Sequence, residues 1–522
     1  MSVSPATARA VPRVATGIGD GDLIAAVDIG SNSFHLVVAR YEHGRLRMID
    51  RMREAVHLAM GLRADGSLDA ERRALALSCL ARFGQRLRAV PAANVRAVAT
   101  NAVRRLAHPQ AFLVPAETAL GHAIGVVSGR EEARLIHLGI AHARAGSPEQ
   151  RLVVDVGGGS TEFIIGQGFE TLETESVQIG CIASTLRFFP DGHCTAQAWQ
   201  RARTGIGVEL QQFAAAYRAR GWVEAMASSG TARCVAAIAQ ANGWCDTGIS
   251  AAALARLREA ILAAGRVDRL DLAGLAEERR ATLAGGVAIL DAVFTTFGLE
   301  HVSVCDTAMR EGLLFDLVGP AMHGDPRAAS VGSLAARYGV DRAQAARVRH
   351  AAMTLFDQVA DAWDLVPVDR DFLGWAADVH EVGLAIAHSK HHVHGAYIIA
   401  HSDLEGFSRD GQQALAAMVR SHRRNPHAEA IAALPGRLQE RVRRLTVLLR
   451  LAALLERART IEPLPLLSVH ARGDRLTLRL PATWLDQHPL TRADLATEQV
   501  RLRGLGMTLD AVAGAERGAS GA

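Results

Sequence analysis

Runs of apolar residues broken by short turns of small ones fill the first part of the chain, and one such pattern is written twice. "VDIGSNSFHLVVA" over Val27–Ala39 returns as "VDVGGGSTEFIIG" over Val154–Gly166, with Asp28 matching Asp155, Gly30 matching Gly157 and Ser33 matching Ser160. Each copy predicts an apolar strand that reaches an Asp, a turn of small residues and a second apolar strand. The copies stand far enough apart to head separate domains. Around the first, over 23–136, helix-like runs such as "LDAERRALALSCLARFGQRLRA" follow the strands; a second α/β stretch occupies 137–319. The Gly and Pro of "GPAMHGDPRAAS" mark a break, after which strand signals vanish and helical periodicity runs through 320–460. Residues 461–522 hold "LSVHARGDRLTLRL", an alternating hairpin with Gly-Asp at its turn, and then a polar end. Residues 1–22 read as a loose tail.

Composition narrows the class. No run of eighteen apolar residues occurs, so no transmembrane segment is expected, and the first 22 residues lack the continuous apolar stretch of a signal peptide. Six cysteines without a CxxC pair fit reduced thiols and a cytoplasmic location. A net charge of +4 is too mild to mark a nucleic-acid binder, and none is expected as a partner. Of 58 basic residues only Lys390 is a lysine, which removes any GK[ST] phosphate loop. That bias reads as codon usage toward arginine, although guanidinium forks also suit phosphate oxygens.

The duplicated turns carry the chemistry. Small residues between two strands let backbone N–H groups converge on one point, and such a cluster cradles an anion. Gly30, Ser31, Asn32 and Ser33 form the first cradle; Gly157, Gly158, Gly159, Ser160 and Thr161 form the second. Ser229, Gly230 and Thr231, ahead of a helical run, make a third turn suited to phosphate at a helix N-terminus. Asp28 and Asp155 would repel that phosphate without an intervening cation, so Mg²⁺ is expected, with Mn²⁺ as the alternative. A tight turn alone explains one hairpin, but it does not require an Asp two residues before the Gly in both. In "SGREEARLIHLGI", Ser128 can cap a helix that puts Glu132 on the same face as Leu135, Ile136 and Gly139. Desolvation there would raise its pKa toward that of a useful base. Glu131 and Glu132 equally suit a helix N-terminus as plain dipole partners, and the residues alone leave both readings open.

Taken in order, "AAVDIGSNSFHLVVAR", "ATNAVRRL", "VVSGREEARLIHLGI", "VVDVGGGSTEFIIG", "ASSGTARCVAAI", "LAEERRATLAGGVAIL" and "DTAMREGLLF" resemble the exopolyphosphatase and guanosine pentaphosphate phosphohydrolase family. That family lies within the actin-like ATPase and sugar-kinase superfamily, and the text is most like exopolyphosphatases. The resemblance implies two actin-like (ribonuclease H-like) α/β domains around a cleft, then an all-helical HD-like domain and a small C-terminal α/β piece. It implies Mg²⁺-dependent release of orthophosphate from the end of inorganic polyphosphate, with guanosine pentaphosphate (pppGpp) as the alternative substrate, by an expected homodimer. It assigns Glu132 as the catalytic glutamate, Arg104 as the active-site arginine, and Glu162 as an aid to cation binding beside Asp155 and Asp28. Arg279 and Arg310 recur in its later motifs without an assigned role. Where a working HD site has His-Asp, this chain has His380-Glu381; the nearby histidines His388, His391, His392, His394 and His401 read as packing and surface groups or as metal ligands. Arg420, Arg423 and Arg424 in "VRSHRRNPHAEA" read as a solvated face or as a polyphosphate track. A kinase of the same fold and a nucleotide-dependent chaperone or filament subunit are the competing readings.

Overall fold

A computed structural model of the chain describes residues 18–42, 45–144, 147–319, 325–460 and 462–514. The expected tail lies outside these residues except for 18–22. The described residues up to 319 form one compact unit, and those from 325 onward form a second.

The first unit holds two sheets of one design. Strands β1 (Leu23–Ile29), β2 (Ser33–Glu42), β3 (Arg45–Ala55), β4 (Val95–Ala99) and β5 (Ile124–Val126) lie in the order β3-β2-β1-β4-β5. Strands β6 (Gln150–Val156), β7 (Thr161–Gln167), β8 (Glu170–Val177), β9 (Glu224–Ser228), β10 (Ile249–Ser250) and β11 (His301–Val304) lie in the order β10-β11-β9-β6-β7-β8. In each, the duplicated hairpin supplies the two central antiparallel strands, and a parallel strand joins on its other side. Only the short edge strand β10 has no counterpart. The apolar runs of β1 and β6 are buried on both faces, as sheets covered on both sides require.

Alternation sends successive side chains into different cores. Ala25, Val27 and Ile29 enter the core of the first domain, and Leu152, Val154 and Val156 enter that of the second. Ile24, Ala26 and Val153 face a shared core, where they meet Ile136 and Ile140 from the helix Gly129–Ala143 and Leu313 from the helix Met309–Val318. Those two helices approach closely because glycine faces glycine. A Cβ on Gly139 would stand 2.7 Å from the Ala308 oxygen and 3.0 Å from the Gly312 nitrogen. The expected division between 136 and 137 therefore falls inside one continuous helix that serves both sheets. Among the described residues, the helix Glu277–Phe297 has the length and composition to cross a membrane, but 78% of its apolar window is buried within the protein. It is the central core helix of the second domain.

The second unit is built on helices, among them Arg342–Val359, Pro367–Val379, His391–His401, Arg409–Ser421 and Gly436–Leu455. A small sheet, β12 (Ser468–Arg472), β13 (Arg475–Pro481) and β14 (Thr508–Gly514), follows in the order β12-β13-β14. The hairpin at Gly473-Asp474 is present. The sheet's apolar residues Val469, Leu476, Leu478 and Leu509 nevertheless pack into the same core as the helices. Of the piece expected as a separate C-terminal domain over 461–522, the described residues thus share the core of the helices, because a three-stranded sheet buries too little alone.

Candidate active site

The turns of the two hairpins meet. A Cβ on Gly158 would stand 3.0 Å from the Ser31 Cβ, and one on Gly159 would collide with the Asn101 carboxamide. Lacking side chains there, the turns border one cavity. Gly30, Ser31, Asn32, Ser33, Gly157, Gly158 and Ser160 line it, as do Ser229, Gly230 and Thr231 of the third turn, with Asp28, Asp155 and Glu132. Gly159 and Thr161 do not. Gly159 packs against Asn101, and the Thr161 hydroxyl donates to the Ile179 carbonyl in the core. Both shape the second turn from behind.

Local structure fixes these groups. Ser229 adopts φ 109°, a backbone conformation costly for a residue with a side chain, while its hydroxyl accepts from the Ala232 N–H at 3.1 Å to cap the helix Gly230–Ala241. His57 Nδ1 lies 2.6 Å from Asn32 Oδ1. Ser128 caps the helix Gly129–Ala143 by accepting from the Glu131 N–H at 3.1 Å. The two glutamates then part. Glu131 accepts two hydrogen bonds of 2.8 Å from Arg134, which also donates to Asp316 at 2.6 Å, and it is buried away from the cavity. Glu132 lines the cavity, and its Oε2 accepts from Arg104 Nη1 at 3.1 Å. Arg104 itself stands behind Glu132, anchored on the Val127 carbonyl at 2.7 Å.

Four carboxyl groups cluster at the site, and burial raises the pKa of each. Burial pushes Asp28 up to about 8, with Glu132 and Asp155 adding repulsion and Arg310 opposing. Burial likewise raises Asp155 to about 6, against a hydrogen bond from Ser228. Glu132 is raised by burial against the pull of Arg104. Glu162, opposite Asp155 in the hairpin register, accepts from the Ser176 hydroxyl at 2.9 Å and is held well above its usual range by burial and by Glu132 and Asp155. Asp28 Oδ1 is buried with no hydrogen-bond partner. These groups fit a divalent cation, which would offset the repulsion among the carboxylates. Among the described residues no three potential ligand side chains form a cage. That suits Mg²⁺, which takes one or two carboxylates and completes its shell with water and phosphate oxygens.

The cavity is lined as well by Arg53, Arg233, Arg279 and Arg310. Sequence reasoning left Arg279 and Arg310 unassigned and missed Arg53 and Arg233. Burial and the other guanidiniums pull Arg53 and Arg233 below their usual range, and burial with the same arginines pushes His35 down to about 3. One signal was available: Arg233 lies two residues beyond Thr231, on the first turn of a helix aimed at the site. Arg53 gave none, since β3 alternates in burial like any half-solvated strand and its pairing with His35 appears only in the fold.

A sequence model described as the Ppx/GppA phosphatase family matches residues 37–320, and one described as domain III of that phosphatase matches 327–499. Over 496 residues the chain is 35% identical to a guanosine-5'-triphosphate,3'-diphosphate pyrophosphatase of Vibrio vulnificus (strain YJ016), spanning 94% of this chain and 98% of that protein. Among solved structures, an exopolyphosphatase from Cytophaga hutchinsonii ATCC 33406 aligns with a TM-score of 0.53 at 25% identity, across 57% of this chain and 98% of its own.

Proposed function

The chain belongs to the Ppx/GppA phosphatase family, hydrolases of phosphoanhydrides, and we propose that it removes the terminal 5′ phosphate of guanosine pentaphosphate. The observation that carries this reading is the make-up of the cavity, which Asp28, Asp155 and Glu132 line together with four arginines. A phosphate chain needs both. Sequence alone put inorganic polyphosphate first; the likeness to the Vibrio pyrophosphatase over nearly the whole of both chains favours the nucleotide.

Bound Mg²⁺ would be held by Asp155 and Asp28, with Glu162 beneath them, and would neutralise charge on the phosphates. The protein's own groups do the rest. Backbone N–H groups of the three small-residue turns hold phosphate oxygens, and the arginines clamp the chain and stabilise charge on the leaving group. Glu132 orients a water and takes its proton as the water oxygen bonds to the terminal phosphorus and the bridging P–O bond breaks. Arg104 opposes the burial that raises Glu132 and holds its carboxyl group in place.

A second reading, polyphosphate as substrate, is supported by the fold and identity shared with the Cytophaga exopolyphosphatase. In that reading Arg420, Arg423 and Arg424 would be the polymer track. Orthophosphate release measured side by side on guanosine pentaphosphate, long polyphosphate and ATP tests both. A higher kcat/KM on guanosine pentaphosphate is expected; preference for long polyphosphate would install the second reading. Turnover of ATP alone, or phosphate transfer to an acceptor other than water, would refute both. For the helical unit, the HD likeness adds no second reaction to this proposal.

A further inference from the structure

We propose that His57 is a positioning residue of the phosphate site: its Nδ1–H turns the Asn32 carboxamide so that the amide nitrogen donates to a phosphate oxygen of the substrate. This role rests on the phosphohydrolase reading and adds to it a residue that does not itself line the cavity. Asn32 lines the cavity, and His57 Nδ1 lies 2.6 Å from its Oδ1 on the far side. A carboxamide oxygen only accepts, so His57 Nδ1 carries the proton of that bond. With its oxygen committed to His57, Asn32 makes no hydrogen bond through Nδ2 among the described residues and keeps both of those donors for a ligand. Turned the other way, the carboxamide would set its own lone pairs against the phosphate.

The chain brings His57 there by running a strand pair past its end. Ser33 facing Ala55 is the last pair of the ladder between β2 and β3. Beyond it the His57 N–H donates to the Asn32 carbonyl at 2.7 Å, and the Ala59 N–H donates to the Ser31 carbonyl at 2.9 Å. His57 thus grips Asn32 by backbone and by side chain together. Between the two backbone bonds the chain turns through His57 at φ 49° and ψ 46°, a left-handed conformation that costs energy in a residue with a Cβ. Val56 and Leu58, each 1% exposed, anchor it on either side in the core of the first domain, and Arg72 Nη1 donates to the Val56 carbonyl at 3.3 Å.

A turn alone would need only the backbone bonds, and glycine would make it without strain. What the imidazole adds is the orientation of one side chain. In the first turn, Gly30, Ser31, Asn32 and Ser33, Asn32 brings the one carboxamide, a group with a donor and an acceptor at opposite ends; the second turn, Gly157, Gly158, Gly159 and Ser160, has none. A hydroxyl rotates to suit a ligand, whereas a carboxamide left without a partner presents either end. His57 selects the donor end before substrate arrives, which lowers the ordering cost of binding.

Steady-state kinetics of orthophosphate release from guanosine pentaphosphate, on the full chain with Mg²⁺, test this role. His57→Gly suits the left-handed backbone but frees the carboxamide, so KM should rise about tenfold while kcat stays within about threefold, as loss of a donor to bound phosphate gives. His57→Asn also tolerates that backbone and carries an N–H at the δ position, so KM should return to within about threefold of the wild type. Asn32→Ala should raise KM as His57→Gly does, and the two together should cost no more than either alone. Additive losses, a His57→Asn protein as impaired as His57→Gly, or an unchanged KM in His57→Gly would each overturn the proposal and leave His57 a turn residue. Thermal unfolding checks that the variants fold. If His57→Gly does not, His57→Asp takes its place: its carboxylate offers only acceptors, and its effect on KM should vanish in the Asn32→Ala background. A wild-type chain that releases no orthophosphate from guanosine pentaphosphate, long polyphosphate or ATP would sink the phosphohydrolase reading instead. The same variants are then compared by their Kd for a methylene-bridged guanosine triphosphate, with the same ratios expected and the same results overturning the role of His57.

Discussion

Glu131 and Glu132 are adjacent and chemically identical, and the fold sends them to different work. Glu132→Gln keeps shape and hydrogen bonding to Arg104 but removes the base, so kcat should fall about 10²-fold or more while KM changes little. Steady-state kinetics check this, and near wild-type turnover would remove Glu132 from the mechanism. Glu131→Gln should do the opposite. It weakens a buried bidentate pair, leaving Arg134 with Asp316, so stability should drop by about 1–3 kcal/mol in denaturant titration while kcat holds. At this scale the sequence was legible wherever one local rule decided the outcome. Ser128 as cap and Glu132 on the face with Ile136 follow from helical spacing alone. The sharing of Arg134 between Glu131 and Asp316 was not legible, because Asp316 lies on a helix 182 positions beyond Arg134, a distance no local period spans.

The two hairpins are one element used twice, and their differences say more than their likeness. Asp155 faces Glu162 across its hairpin where Asp28 faces His35. The second hairpin therefore brings two carboxylates to one place, and the first brings one carboxylate and an imidazole that burial and the arginines keep neutral. Asp155→Asn should leave the hairpin folded, lower the rate, and raise the Mg²⁺ concentration needed for half-maximal activity; Asp28→Asn should shift it by less. A Mg²⁺ titration of the three proteins checks both statements. An unshifted midpoint with an unchanged rate in Asp155→Asn would mean that Asp155 does not hold the cation. The hairpins could be read from sequence because alternation and small turn residues are local properties. Edge strand β10 could not: two residues, Ile249 and Ser250, carry no pattern, and only the approach of β11 makes them a strand.

At the scale of the whole molecule, the described residues up to 319 contain every side chain placed around the cavity, together with the cores that position them. The order of α/β units and then helices was visible in the shift of hydrophobic period. The joining of the last sheet to the helical core was not, since its strands alternate as a free-standing sheet's would and only packing reveals their partner. That division has a consequence for activity. A fragment of residues 17–324 has its own cores and should fold, as the Cytophaga protein, which aligns over 98% of its length to 57% of this chain, gives precedent for such a size. If the nucleotide reading is right, the fragment should keep kcat on guanosine pentaphosphate within about threefold, because the clamp and the base are all present. If Arg420, Arg423 and Arg424 hold a polymer, the same fragment should lose affinity for long polyphosphate, and added salt should mimic that loss in the full chain by screening distributed contacts. A folded fragment that loses more than about tenfold on the nucleotide would place part of the substrate's binding energy in the helical unit. Equal losses on long and short substrates would remove the polymer track and leave the phosphohydrolase standing.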